Sequence, residues 1–307
     1  PAAPADPRDP RAATLLRPAT PGEVVEGGTV VMGLPYDGGA RRAGASLGPR
    51  ALREALAAFG TFDGIREVDP VADLGDVALP LMDGAGAHAR MEQAARDLFA
   101  SGARPVFLGG DHGCTGSVIR GLAAARPGLR LGVISIDAHL DVREYPDQAS
   151  LSSGTPFRRA LESGIVEGSR VAMVGIRRFA NSRYYLDWAQ AQGVKLIAAE
   201  QVAKQGAAAT AAAALYAATR DADALYLSID LDAADAAFAP GVSAPGIGGL
   251  TSREMIELVQ AIAAHPQLLA ADIMELSPPL DQDTRTARLA ARLLLELLAA
   301  RTPAASG

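Results

Sequence analysis

From Thr29 onward, the chain alternates short, continuously apolar runs with longer stretches that have helical spacing. Continuous apolar runs rich in β-branched residues are typical of parallel strands buried on both faces. Alternation of strands with helices implies βαβ units, whose helices cover both faces of a parallel sheet. We therefore predict a three-layer α/β sandwich around a central, mainly parallel, eight-stranded sheet. The seven strong runs are Thr29–Leu34, Arg104–Leu108, Leu131–Ile136, Arg170–Ile176, Val194–Ile197, Ala224–Ile229 and Leu268–Ile273, and the weaker eighth is Glu67–Val71.

Seven helices are predicted between these runs. They are Pro49–Phe59, His88–Ser101, Ser117–Ala125, Tyr184–Gln192, Ala207–Thr219, Ser252–Ala264 and Thr284–Ala299. Residues 1–27 are rich in Pro, Ala and Arg and have no period, so we interpret them as a surface arm or flexible tail. Residues 28–307 contain no repeat and no break in composition, which predicts a single domain. Its glycine-rich stretches, 38–48 and 241–249, resemble loops at strand ends, where such sheets build binding sites.

Composition excludes several classes of protein. The formal net charge is -6 and no block of like charge occurs, so we expect neither a nucleic-acid partner nor a membrane surface. Cys114 is the single cysteine, which excludes a disulfide framework and predicts a small buried side chain. No apolar run approaches the roughly 18 residues of a membrane helix, and the first residues lack the apolar core of a signal peptide. We therefore expect a cytoplasmic protein.

The first chemical motif is Asp-Ala-His-Leu-Asp at 137–141, directly after a predicted strand. Side chains at alternate strand positions point the same way, so Asp137, His139 and Asp141 converge just beyond the strand end. Carboxylates with imidazole suit Mn²⁺, and also Zn²⁺ or Fe²⁺. In isolation, the motif could also be a set of ordinary polar loop residues.

Two further motifs end predicted strands. Asp230 and Asp232 follow a buried-type strand, and two such carboxylates repel each other unless a cation lies between them. His112 follows a Gly-Gly turn after another strand. Either motif alone could be structural, but all three lie at the carboxyl edge of the sheet, where open α/β sheets bind ligands. The six side chains could serve two ions if Asp137 and Asp230 bridge them, and paired ions can activate one hydroxide.

The motifs Gly-Gly-Asp-His, Asp-Ala-His-Leu-Asp and Ser-Ile-Asp-Leu-Asp, in this order, resemble the ureohydrolase superfamily. That superfamily contains arginase, agmatinase, guanidino-acid hydrolases and formimidoylglutamase. The resemblance extends from about Val30 to about Leu298. Supporting stretches are Gly48–Arg53, Ala239–Thr251 and Asp272–Pro278. An arginase-like fold, a small-molecule substrate and a homo-oligomer, trimeric or hexameric, are what the resemblance implies.

The resemblance also implies two Mn²⁺ ions and a role for each ligand. One ion would take His112, Asp137, Asp141 and Asp230, and the other would take Asp137, His139, Asp230 and Asp232. A hydroxide shared by the ions would attack the amidine or guanidine carbon. Asp141 would help to pass its proton to the leaving amine. Glu275 matches the glutamate that pairs with the cationic N–C–N group, and a carboxylate fork suits a planar amidinium.

One departure separates this chain from arginases and agmatinases. Those enzymes carry a further histidine, followed by a glycine, some residues beyond the Asp-Ala-His-Leu-Asp motif. Ser153 stands there, and a serine cannot do imidazole acid–base work near pH 7. Ser-Gly-Thr-Pro-Phe at 153–157, Pro-Gly-Val-Ser-Ala-Pro at 240–245 and the stretch at 175–181 are similar to the formimidoylglutamase branch. At the place of residues 240–245, guanidine-hydrolysing branches more often have Pro-Gly-Thr-Gly-Thr-Pro. The formimidoylglutamase branch hydrolyses N-formimino-L-glutamate to L-glutamate and formamide in histidine degradation.

Such a substrate carries two carboxylates, so its site needs cations or amide groups. The preferred candidates for substrate binding are Ser153, Arg158, Arg177 and Asn181; Arg41, Arg42 and Arg178 lie on loops that could also reach the site. Four functions stay open: a formimidoylglutamase, an agmatinase or guanidino-acid hydrolase that releases urea, another amidine or amide hydrolase, and a catalytically inactive relative of the fold. A nucleotide-binding module is excluded, because Gly109-Gly110 has no third glycine at the required spacing.

Overall fold

A computed structural model describes residues 6–80, 82–145 and 151–301. The strands are β1 (Leu16–Pro18), β2 (Thr29–Gly33), β3 (Val71–Asp76), β4 (Arg104–Leu108), β5 (Leu131–Ile136), β6 (Val171–Ile176), β7 (Lys195–Ala198), β8 (Ala224–Asp230) and β9 (Leu268–Met274). They form one sheet in the order β1-β3-β2-β4-β9-β8-β5-β6-β7, and every pairing between them is parallel.

The predicted α/β fold class is confirmed, but the described sheet has nine strands rather than eight. The additional strand, β1, has only three residues and ends in proline, so it is too short to produce a period in the sequence. β3 also begins at Val71, where the predicted strand ends, because Glu67 instead forms an antiparallel bridge with Phe62.

Nine α-helices occur in the described residues. They are α1 (Gly48–Ala55), α2 (Gly84–Ala100), α3 (Gly113–Ala125), α4 (Pro156–Glu162), α5 (Arg183–Ala191), α6 (Ala199–Gln205), α7 (Ala207–Thr219), α8 (Ser252–Ala263) and α9 (Arg285–Arg301). Seven correspond to predicted helices. α4 and α6 were not predicted, because seven residues are too few to establish a helical period.

Alternation along the strands divides the apolar core between the two faces of the sheet. On β8, Leu225, Leu227 and Ile229 belong to one apolar cluster, whereas Tyr226 belongs to the other. The first cluster includes α1 and α6 to α9, and the second includes α2 to α5. Since successive strand side chains point to opposite faces, the two clusters are the two interfaces of a three-layer sandwich.

The predicted arm is only partly described, since residues 1–5 lie outside the described ranges, as do residues 302–307 at the other end. In its described part, Ala12 and Leu15 are buried, and the Ala12 N–H donates to the Phe59 carbonyl at 2.8 Å. β1 then pairs with β3. Among the described helices, none combines the length and apolar character that crossing a membrane would require.

Candidate metal centre

The strand ends at the middle of the sheet bring the predicted motifs together. β4, β9, β8 and β5 are consecutive neighbours, and all are parallel, so their carboxyl ends share one edge. After β4, Gly110 lies against the loop that follows β2, so close that a Cβ would collide with the Tyr36 carbonyl oxygen. Only glycine permits this approach, which turns the chain so that His112 precedes α3 at the site.

One group of ligand atoms surrounds His112. Its Nδ1 atom lies 3.2 Å from Asp137 Oδ2, 2.9 Å from Asp141 Oδ2 and 3.1 Å from Asp230 Oδ2. These four side chains are buried, and their ligand atoms lie within 4.8 Å of one another. Three carboxylate oxygens around one nitrogen form a compact pocket for a cation.

A second group adjoins the first through Asp137. His139 Nδ1 lies 3.6 Å from Asp137 Oδ1 and 3.0 Å from Asp232 Oδ2. Asp137 therefore presents Oδ2 to the first group and Oδ1 to the second, as a bridging carboxylate would. The structure thus brings all six predicted ligand side chains into two adjoining groups. The second role of Asp230, as a bridge, stays a prediction, because the second group contains Asp137, His139 and Asp232.

The electrostatics of this cluster favour a bound cation. Burial and the neighbouring Asp232 and Asp137 carboxylates raise the pKa of Asp230 well above its ordinary value. Burial and the Asp137 carboxylate likewise raise the pKa of Asp141 to about 6. Asp137 Oδ2 and Asp232 Oδ1 are buried without a hydrogen-bond partner in the described structure. Buried carboxylates with free lone pairs need a positive charge, so the residues fit a divalent metal.

The two histidines show the same demand for positive charge. Burial lowers the pKa of His112, yet the three surrounding carboxylates raise it well above its ordinary value. Burial also opposes a charge on His139, but Asp232 and Asp137 raise the pKa of His139 to about 12. A site that draws protons onto both imidazoles will also draw metal ions, which take the place of those protons.

A polar network beneath the cluster sets the tautomer of His112. His112 Nε2 lies 2.9 Å from Ser228 Oγ, whose hydroxyl donates to Asp272 Oδ1 at 2.7 Å. Since the Ser228 proton is used in that bond, we assign the proton of the imidazole to Nε2. In the neutral imidazole, Nδ1 is then left with the lone pair that a metal ion among the carboxylates would take. Asp272 also accepts hydrogen bonds from Tyr226 and Thr115, at 2.5 and 2.8 Å, so the network is fully connected.

Glu275 lies next to the ligand groups, and each of its carboxylate oxygens accepts one hydrogen bond. Oε1 accepts the His112 main-chain N–H at 3.0 Å, and Oε2 accepts the Ser243 hydroxyl at 2.5 Å. Burial raises the pKa of Glu275 to about 7, although these two hydrogen bonds lower it. A cationic partner would restore the charge of this buried carboxylate.

Two site residues have left-handed backbones, which non-glycine residues rarely adopt. Asp141 has φ 48° and Glu275 has φ 71°. Hydrogen bonds hold both: the Asp141 carbonyl accepts the Phe157 N–H at 3.2 Å, and the Glu275 N–H donates to the Gly110 carbonyl at 2.8 Å. Such strain persists only where surrounding contacts fix it, and here it directs two carboxylates towards the site.

A cavity of about 440 Å³ opens onto the ligand groups and Glu275. Besides the ligands, its wall includes Arg41, Arg143, Tyr145, Ser243 and Ala244. Arg143 was not predicted as a site residue. The signal for it was its position two residues after Asp141, on the same loop as three ligands. Two arginines and an acidic cluster in the wall of one cavity suit a small molecule that carries both a cationic and an anionic end.

Of the four predicted substrate-binding residues, Ser153 lines the cavity and Arg158 does not. Ser153 donates from both its N–H and its hydroxyl to the Gly39 carbonyl, at 3.1 and 3.2 Å, and so ties two cavity loops together. Arg158 is buried elsewhere: its Nε donates to Glu162 at 2.6 Å, and its guanidinium carbon lies 3.9 Å from the centre of the Trp188 ring.

Arg177 and Asn181 form hydrogen bonds with main-chain atoms of the ligand loops. Arg177 Nη1 donates to the Asp232 carbonyl at 3.2 Å. Asn181 accepts the Leu140 N–H and donates to the Ala138 carbonyl, both at 3.0 Å. Both side chains therefore hold main-chain atoms of the metal-ligand segments, and neither lines the cavity.

Comparisons with known proteins agree with this geometry. A formimidoylglutamase from Halobacterium salinarum is 38% identical over 301 residues, which cover 96% of this chain and 95% of that protein. A guanidinopropionase from Pseudomonas aeruginosa is 36% identical over 275 residues, 87% of this chain and 85% of that protein. The crystal structure of Trypanosoma cruzi formiminoglutamase with Mn²⁺ has a TM-score of 0.85 and 28% identity, over 95% of this chain and 98% of that one. Residues 28–300 match the Arginase family, and the chain therefore belongs to that family.

Proposed function

We propose that this protein hydrolyses a C–N bond of a linear amidine, namely N-formimino-L-glutamate, to give L-glutamate and formamide. The observation that carries the proposal is a buried His–Asp cluster beside Glu275, in a cavity whose wall also holds Arg41 and Arg143. This arrangement suits a substrate with a cationic amidine at one end and carboxylates at the other. The 38% identity to a formimidoylglutamase supports the same substrate.

We propose two Mn²⁺ ions as the cofactor. His112, Asp137, Asp141 and Asp230 would hold one ion, and Asp137, His139, Asp230 and Asp232 would hold the other. The oxygen-rich donor set with imidazole suits Mn²⁺, and a formiminoglutamase of known structure contains it. When bound, paired divalent ions lower the pKa of water enough to supply a nucleophile near neutral pH.

The amidine end would bind to Glu275. A protonated N–C–N group offers parallel N–H bonds that match the two oxygens of one carboxylate. Burial raises the pKa of Glu275 to about 7, and the amidinium cation would lower it, so the pair would form as an ion pair. The formimino carbon would thus be fixed in front of the ligand cluster.

Asp141 would move the proton. Attack by water on the formimino carbon forms a C–O bond, and the proton of that water passes to a carboxylate oxygen of Asp141. The same proton then passes to the α-nitrogen as the C–N bond breaks, and the proton left on the new hydroxyl passes to the freed amine, so that formamide and the ammonium form of L-glutamate are released. Asp141 suits this role because its carboxylate belongs to the first ligand group, with Oδ2 2.9 Å from His112 Nδ1, and also lines the cavity in which the amidine would bind.

The carboxylate end would bind to Arg143 and Arg41 rather than to Arg158 and Arg177. Both proposed arginines line the cavity, and Arg143 is exposed to solvent there. Ser153 lines the cavity wall, but its N–H and its hydroxyl both donate to the Gly39 carbonyl. Its proposed role is therefore to position the loop that contains Gly39. Asn181 would position the metal-ligand loop in the same way.

The direct test is product analysis with Mn²⁺-loaded protein and N-formimino-L-glutamate, followed by release of formamide and L-glutamate. Glu275→Gln should lower kcat/KM by roughly 100-fold with the metal content unchanged, because losing a charge-assisted bidentate pair costs about 3 kcal/mol. Glu257→Gln, an exposed change on α8, is the matched control and should behave as the wild type. Retained turnover in Glu275→Gln would remove Glu275 from the amidine-binding role.

A guanidino-acid hydrolase is the second candidate, favoured by the 36% identity to a guanidinopropionase. Such an enzyme would release urea rather than formamide. Ser153 argues against it, because the histidine expected there in the guanidine-hydrolysing enzymes is absent from this sequence. Urea release from a guanidino acid, faster than formamide release from N-formimino-L-glutamate, would reverse the order of the two candidates.

We further propose that the protein is cytoplasmic and forms a homo-oligomer, a trimer or a hexamer, as the superfamily commonly does. Light scattering of the purified protein gives its mass in solution and tests the second point. A mass equal to the 31.5 kDa of one chain would contradict it.

A further inference from the structure

Ser243 makes a short hydrogen bond to the proposed amidine-binding residue. Its Oγ lies 2.5 Å from Glu275 Oε2, and both side chains are buried at the cavity wall. The hydroxyl must donate, because a carboxylate oxygen accepts. A hydrogen bond from a hydroxyl to an ionised carboxylate is charge-assisted and about twice as strong as a neutral hydrogen bond.

Glu275 has few other constraints on its orientation. Its left-handed backbone and its N–H bond to the Gly110 carbonyl fix the start of the side chain. The final torsion of a glutamate is broad, so it does not fix the plane of the carboxylate. The His112 N–H holds Oε1 alone and would permit rotation about that contact. The Ser243 hydroxyl on Oε2 supplies the second point that defines the plane.

The two hydrogen bonds also decide which lone pairs stay free. A carboxylate has about four acceptor positions, two on each oxygen. The His112 N–H takes one on Oε1, and the Ser243 hydroxyl takes one on Oε2. About one position on each oxygen is left, which matches the two parallel N–H bonds of an N–C–N group.

We propose that Ser243 is a positioning residue for amidine recognition. Together with the His112 N–H, it holds the Glu275 carboxylate in the plane in which each oxygen meets one N–H of the formamidine group. Ser243 acts through Glu275 and needs no contact with the substrate. This inference rests on the proposed function, because it takes Glu275 as the partner of the amidine.

The test compares Ser243→Ala with the wild type and with Ser135→Ala, all loaded with Mn²⁺. Ser135 is a matched control: it is buried on β5, and its hydroxyl has no hydrogen-bond partner within the described residues. Four quantities are measured for each protein: metal content, kcat/KM for N-formimino-L-glutamate, and inhibition constants for the formamidinium ion and for L-glutamate. Formamidinium probes the amidine end alone, and L-glutamate probes the carboxylate end alone.

Ser243→Ala should weaken formamidinium inhibition and lower kcat/KM, each by roughly 10- to 100-fold, as expected for a hydrogen bond to a charged group. L-Glutamate inhibition and metal content should stay at the wild-type values, and Ser135→Ala should change none of the four quantities. Unchanged formamidinium inhibition with unchanged kcat/KM would overturn the proposal. Equal weakening of both inhibitors, or loss of metal, would also overturn it, since either result indicates general disruption of the site.

Formamide release by the wild type is measured before the variants, so that the two hypotheses fail separately. A wild type that converts no N-formimino-L-glutamate refutes the proposed function, and the role of Ser243 falls with it. An active wild type beside an equally active Ser243→Ala refutes only the role of Ser243.

Discussion

The Nε2 atom of His112 lies 2.9 Å from the Oγ atom of Ser228, in a buried contact beneath the metal-ligand cluster. The Ser228 hydroxyl in turn donates to Asp272, so a carboxylate orients the imidazole through a hydroxyl. Partners of this kind fix the tautomer of a ligating histidine, and their loss typically costs 10- to 100-fold in metal affinity. The tightness of metal binding should therefore depend on residues that touch no metal.

Ser228→Ala should lower Mn²⁺ affinity by roughly 10- to 100-fold, because the Nε2–H of His112 would lose its acceptor. Affinity is measured by competition with a chelator. Ser135→Ala is the control: Ser135 on β5 is the register partner of Ser228 on β8, and its hydroxyl is without a hydrogen-bond partner in the described structure. Equal Mn²⁺ affinity in the two variants would exclude Ser228 from orienting His112.

The ligand cluster could be predicted from the sequence because its chemistry is local. Asp137, His139 and Asp141 alternate directly after a strand, and the strand's own geometry makes them converge. Parallel pairing then brings the other two strand ends to the same edge. The structure places all six side chains in two adjoining groups, as the spacing indicates.

The arginines could not be placed in this way, because a long side chain points where distant partners direct it. The Arg158 side chain instead contacts Trp188, which lies on α5, and Glu162. Arg143, by contrast, lines the cavity, and its only sequence signal is its place two residues after Asp141. The pairing of Ser243 with Glu275 likewise joins two loops that only the folded sheet brings together.

Asp230→Ala should abolish turnover and lower the Mn²⁺ content, because a buried carboxylate 3.1 Å from His112 Nδ1 is lost. Metal analysis and formamide release measure the two effects. Mn²⁺ at a hundredfold excess over Kd should raise the free energy of unfolding of the wild type by about 2.7 kcal/mol, because it binds the folded protein. The melting temperature of Asp230→Ala should therefore rise less with added Mn²⁺ than that of the wild type. Asp187→Ala, an exposed change on α5, should resemble the wild type. Full activity in Asp230→Ala would refute the metal-site assignment.

Arg143→Gln and Arg158→Gln should separate substrate binding from stability. Arg143 faces the cavity, so its loss should raise KM for N-formimino-L-glutamate by roughly 10-fold or more, with little change in unfolding. Arg158 is buried against Trp188, so its loss should lower the free energy of unfolding by about 1–3 kcal/mol, with a smaller effect on KM. Kinetics and urea unfolding of both variants provide the comparison. The reverse pattern would restore Arg158 as the substrate-binding arginine.

His88 predicts a pH dependence of stability that is independent of the metal ligands. Burial, with a smaller effect of Arg159 and Arg120, lowers the pKa of His88 to about 4 from its ordinary 6.5. Its Nδ1 lies 2.8 Å from Ser117 Oγ, between α2 and α3. As the pH falls from about 6.5 to about 4, the unfolded chain takes up a proton that the folded protein does not. The free energy of unfolding should therefore fall across this window, and this contribution should be fully present above about pH 6.5.

His88→Gln should remove up to about 3 kcal/mol of that pH-dependent change, because the pKa difference of His88 is close to 2.5 and each unit is worth about 1.4 kcal/mol. Urea unfolding of the variant and the wild type is measured from pH 7.5 to pH 4, and the difference between the two curves isolates His88 from the titrating carboxylates. His265→Gln, after α8, controls for the loss of a histidine. The gap between wild type and His88→Gln should narrow as the pH falls, since only the wild type loses this stabilisation. Parallel curves across the whole range would show that His88 titrates alike in the folded and unfolded chains.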